Sequence, residues 1–160
     1  MVNESLATYL NDHLAGSVVA LELLDHLAEQ NDSTRTMLTT LHSDITADRE
    51  TLERLMAQLD ITTSRPRQAA AWLVEKLSEL KLRLDNLSGS ALRQLEGLEA
   101  VAMGIDGKIA LWHALAAVRD DVPELKRLDY LELLRRAEAQ RQVVEELRLR
   151  AAKEAFTGTA

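Results

Sequence analysis

Apolar residues recur along this chain at alternating spacings of three and four, the period of one face of an α-helix, and polar breaks divide the pattern into five segments. Leu6, Leu10, His13, Ser17, Ala20, Leu24 and Leu27 form the first stripe and predict a helix over 4–30, ended by Asn31-Asp32-Ser33. Asp32 or Ser33 suits the cap of a second helix over 33–60, striped by Leu38, Leu41, Ile45, Asp48, Leu52, Leu55 and Leu59. Beyond the break ITTSRPR, Pro66 fits a first helical turn, and Ala70, Leu73, Leu77, Leu80, Leu84 and Leu87 predict a shorter helix over 66–87. Ser88-Gly89-Ser90 is a joint. A fourth helix over 90–118 buries Leu95, Leu98, Ala102, Ile105, Ile109 and Trp112. Asp120 to Pro123 breaks the pattern again, and a fifth helix over 123–156 follows with Leu133, Ala137, Gln140, Val144, Leu147 and Ala151 on one face. Four long helices with a shorter one between the second and third predict an all-α four-helix bundle of one domain over 1–160. Two antiparallel hairpins are joined by a long crossover that carries the extra helix.

Composition agrees. Leu (30) and Ala (22) fill a third of the 160 residues, while Gly and Pro together number 8. That mixture favours helix. The chain is long enough to bury about two-thirds of its unfolded surface. Having no cysteine, it has no disulfide, thiolate metal site or cysteine nucleophile. The net charge of −7 is uneven: residues 1–64 carry 3 basic and 11 acidic groups, whereas the remainder is close to balance. An acidic chain with five aromatics lacks the basic, stacking face of a nucleic-acid binder. The stretch MVNESLATYLND has no export pattern, and no run of about 18 uncharged apolar residues occurs, so the expectation is a cytoplasmic protein without a membrane partner.

Gly97, Ala100, Gly104 and Gly107 form a strip of small residues within the fourth helix. Each helix-interior glycine costs about 1 kcal/mol relative to Ala, so the strip suggests close approach by another helix or subunit. A homodimer through this face is the favoured partner arrangement.

The first helix is more specific. LNDHLAGSVVALELLDHLAE resembles the opening helix of ferritin-like proteins of the bacterioferritin kind, and ADRETLERLMAQL resembles their second helix in texture. The resemblance extends through the bundle topology over about residues 4–156 and implies a ferritin-like fold with a di-metal centre. There, two helices each give a Glu and two each give a Glu-x-x-His pair. This chain departs from that set. Ser17 stands at the first Glu position; the second-helix pair falls on Asp44 and Ala47 or on Ile45 and Asp48. Glu99 best matches the third-helix Glu, with Asp106 two turns on, and the last pair falls on Ala137 and Gln140, with Glu138 and Arg141 beside them.

The periodicity alone picks out the same level: Ser17, Asp48 and Gln140 interrupt apolar stripes near mid-helix. Polar groups facing a core need partners, so one reading is a buried hydrogen-bonded layer that fixes helix register. The alternative is a reduced Fe or Mn site from Asp44, Asp48, Glu99, Asp106 and His13, serving an oxidoreductase or a stress-related protein. His26, His42 and His113 lack a carboxylate three residues earlier. No Gly-rich phosphate loop, G-x-S-x-G or H-E-x-x-H occurs, and Glu145-Glu146 with Arg148 and Arg150 reads as a solvated helix face. The favoured expectation is a non-catalytic bundle of ferritin-like ancestry with a degenerate metal centre, acting by association.

Overall fold

The computed structural model describes residues 3–63 and 67–159. Pro66, expected in a first helical turn, lies outside them, as do the side chains of Ala70, Trp72 and Leu73. Five α-helices and no strands occur among the described residues: α1 Glu4–Gln30, α2 Arg35–Gln58, α3 Arg67–Asp85, α4 Ser90–Ala117 and α5 Tyr130–Thr157, with a 3-10 turn at Pro123–Arg127. No helix among them is long and apolar enough to cross a membrane.

Local chemistry sets most ends. Asn3 Oδ1 accepts from Ser5 N at 2.9 Å and caps α1. The expected cap of the second helix is corrected: Asn31 Oδ1 takes both Ser33 N and Ser33 Oγ into the turn, so α2 starts after Thr34 without a side-chain cap. The fifth helix also starts later than the expected 123–156. Pro123 opens only the 3-10 turn, which buries Leu125, and Asp129 then caps a new helix by accepting from Glu132 N at 3.0 Å.

Pairings between helices define the connectivity. His42 meets Asp25 across the tight α1/α2 turn. Between α4 and α5, Asp106 pairs with Arg141 at 3.0 Å and Glu99 with Arg148 at 3.3 Å, an antiparallel register. Helix α4 also runs antiparallel to α1, Gly97 lying against Leu27 and Gly104 near Ala20. The α3 pairs Lys81 with Glu22 and Asp85 with His26 keep a constant offset, so α3 runs parallel to α1. The chain therefore goes up, down, back up along the outside through α3, then down and up.

Burial follows the stripes. Every stripe residue named for α2, and every one named for α5, is buried. On the third stripe Leu84 is buried and Leu80 and Leu87 rest against the core, while Val74 and Leu82, off the stripe, are mostly exposed. The buried apolar residues divide into two clusters, one including Leu21, Ile45, Ile105 and Val144, the other Leu14, Leu52, Leu111 and Ala137. On each long helix the division falls at one level, where Ser17, Asp48, Lys108 and Gln140 stand.

Candidate functional site

Helix period brings three of those residues together. Asp48 sits one turn from Ile45 and Leu52 on α2, Lys108 between Ile105 and Leu111 on α4, and Gln140 between Ala137 and Val144 on α5. The Asp48 side chain is 1% exposed. Its Oδ2 accepts from Lys108 Nζ at 2.7 Å and from Gln140 Nε2 at 2.8 Å, and Lys108 Nζ also donates to Gln140 Oε1. Arg136 Nη2 stands 2.7 Å from Oδ1 but off the line of an N–H, so that contact is an ion pair rather than a hydrogen bond. Burial holds the Lys108 ammonium below the ordinary lysine pKa, outweighing the attraction of Asp48, and Arg136 pushes the same way. One buried carboxylate thus carries two cations, Lys108 from inside the bundle and Arg136 from its partly exposed edge.

A cavity of about 270 Å³ opens beside this layer between α1, α2 and α4. Its walls are mainly apolar, with Ala20, Ile45, Leu52, Ile105 and Leu111, while Asp48 and Lys108 border it. Ser17 lines it too but does not join the layer, because its hydroxyl donates to Leu14 O of its own helix at 2.6 Å. His13, edge-on to the Tyr9 ring, has its pKa lowered by burial despite nearby Asp12. Trp112 also lines the cavity; it is 1% exposed and its Nε1–H has no acceptor.

The residues considered for a metal site are dispersed. Asp48 is committed to the layer. Asp44 is exposed on α2, bordering a separate cleft with Arg135 and Arg136. Glu99 and Asp106 lie on the outer α4/α5 face, each held by an arginine, and His13 lies on the cavity wall. No group of three or more His, Asp or Glu comes together in metal-binding geometry among the described residues. The level expected to hold a di-metal centre contains an ammonium, a guanidinium, one carboxylate and an amide. That set does not fit two metal ions, which require several carboxylates and imidazoles facing inward.

Comparison with protein-family models, curated proteins and solved structures finds no significant match. The geometry therefore carries the functional argument.

Two observations revise the sequence reading. The layer's cations, Lys108 and Arg136, went unrecognised although a signal was present: Lys108 lies three residues after Ile105 and four before Trp112, on the buried stripe. The small-residue strip is not wholly at the surface. Gly97 is buried within the chain, where an added Cβ would come 2.5 Å from Leu27 Cδ2. Ala100 and Gly104 border a groove against α1 and α3, and Gly104 and Gly107 border the cavity. Glu145, in turn, occupies the solvated face expected of it: hydrogen bonds from Arg148 and Arg141 pull its pKa down to about 2.

Proposed function

We propose that this chain is a ferritin-like bundle in which an ionic layer stands in place of a di-metal centre, and that it works by binding rather than by redox catalysis. The observation carrying this reading is Lys108, whose ammonium bridges Asp48 and Gln140. A fixed cation there repels metal ions and satisfies the carboxylate that would otherwise attract one. The hairpin, crossover, hairpin connectivity supports the ferritin-like part of the proposal. Elemental analysis and calorimetric titration with Fe(II) and Mn(II) test it. The expected result is no stoichiometric uptake at micromolar metal; one or two ions per chain would overturn it in favour of a metal-dependent oxidoreductase.

A second reading, self-association through α4, draws on Met103, which is 70% exposed on the groove that Ala100 and Gly104 border. In sedimentation, Met103→Glu should shift a dimer toward monomer. An identical profile for the native chain and the variant would remove this face from any interface.

A further inference from the structure

The chain has six glycines, and the structure accounts for three of them. Gly89 and Gly158 have φ of +93° and +67°, where a side chain is strained, and Gly97 makes room for Leu27. Gly16, Gly104 and Gly107 are different. All lie inside helices, none has positive φ, and an added Cβ would meet nothing within 4 Å at Gly16 and Gly107 and only an ordinary 3.8 Å contact with Ala20 at Gly104. Each sacrifices helix propensity without a packing reason, yet all three line the same 270 Å³ cavity. Gly16 and Gly104 are exposed at its rim and Gly107 is half-buried, so no side chain from these positions narrows the opening.

Two donors near the cavity have unused capacity. Trp112 Nε1–H is buried with no acceptor. Lys108 Nζ has three N–H donors, two of them spent on Asp48 and Gln140. Lys108, 14% exposed, lies on the cavity side of Asp48, whereas Arg136, 31% exposed, reaches Asp48 from the cleft that Asp44 borders. At the mouth, Asp12 is exposed and Arg49 is already paired with Glu53. An occupant complementary to this interior brings an acceptor for the remaining Lys108 N–H, best an anionic one for an ammonium, and an apolar body for the aliphatic walls. For scale, benzene fills a cavity of about 150 Å³, so about 270 Å³ takes roughly eight to ten heavy atoms.

We infer that the cavity between α1, α2 and α4 is a binding site for a small monocarboxylate with an apolar body, its carboxylate directed to Lys108 and its body beside Trp112. The inference does not depend on ferritin-like ancestry, and metal uptake does not test it.

Calorimetric titration of the full chain with octanoate, 1-octanol and octylammonium separates the head-group chemistry from the apolar body. Octanoate should bind at one site per chain, at least tenfold tighter than octanol, with octylammonium weakest. The indole N–H resonance of Trp112, assigned by its loss in Trp112→Phe, should move on addition of octanoate. Gly107→Leu, which places a side chain in open space, should abolish binding while retaining helical content and melting temperature. The inference is overturned if octanoate does not bind, if octanol binds equally well, or if a folded Gly107→Leu binds octanoate unchanged.

Discussion

At position 108 an ammonium group is enclosed by apolar neighbours along its own helix and is tolerated because Asp48 and Gln140 face it from two others. Bringing both charges out of water costs several kcal/mol per ion, and only good geometry offsets that. Removing one partner should therefore be costly. Lys108→Met is expected to lower unfolding stability by about 3 kcal/mol, the lower end for a broken buried pair because Arg136 still faces Asp48. Replacing both residues, Asp48→Leu with Lys108→Met, should recover most of the loss. Urea titrations of the three variants decide this; a double variant no more stable than Lys108→Met would show that the pair is not the source of the effect. Asp48 and Gln140 were legible from their place in apolar stripes. Lys108 was not, because a long side chain on such a stripe can equally extend its charge to solvent.

At the level of the helix, glycines that share a spacing have different roles. Gly97→Ala forces a methyl against fully buried Leu27 and should destabilise by about 1–3 kcal/mol, the usual cost of overpacking. Gly107→Ala meets nothing within 4 Å and should stabilise by up to about 1 kcal/mol through helix propensity. Thermal melts of the two variants should move in opposite directions, and a shared direction would contradict this division of the strip. Spacing put all four small residues on neighbouring positions of one helix, but which faced α1 depended on how α1 and α4 cross. The split of the fifth helix has a similar lesson: the break at Pro123 suggested a start there, while the Asp129 cap and the burial of Leu125 decided where the helix begins.

For the molecule as a whole, the titrating groups predict stability that declines on acidification in two stages. His13 is held neutral by burial, with its folded pKa below 6.5, so the unfolded chain takes the proton first. Its contribution is complete above pH 6.5 and is lost as pH falls below that value. Glu145 is lowered from 4.5 to about 2, so its contribution is present above about pH 4.5 and disappears toward pH 2. Melting temperature against pH should therefore slope below 6.5 and again below 4.5. His13→Gln should flatten the first slope and Glu145→Gln the second. Added salt should weaken the second more, because the Glu145 arginine pairs are partly exposed. Curves unchanged by either substitution would assign the acid response to other groups.

The amino-acid order by itself determined the helices and most of their buried faces, since 3.6-residue periodicity and polar breaks act over a few turns. It also located the level where polar side chains enter the core, because Asp48 and Gln140 interrupt their stripes without any reference to a partner. What met at that level was decided by tertiary structure. Lys108 and Arg136 reach Asp48 from helices 60 and 88 residues further along the chain, and Glu99 and Asp106 are turned outward to arginines by the same packing. The cavity is likewise a property of three helices at once: no single stripe encodes a space whose walls are 29 to 92 residues apart, from Ile45 to Gly16 and from Gly16 to Lys108. Local periodicity tells which side of a helix is inside, and only the crossing of helices tells what that side touches.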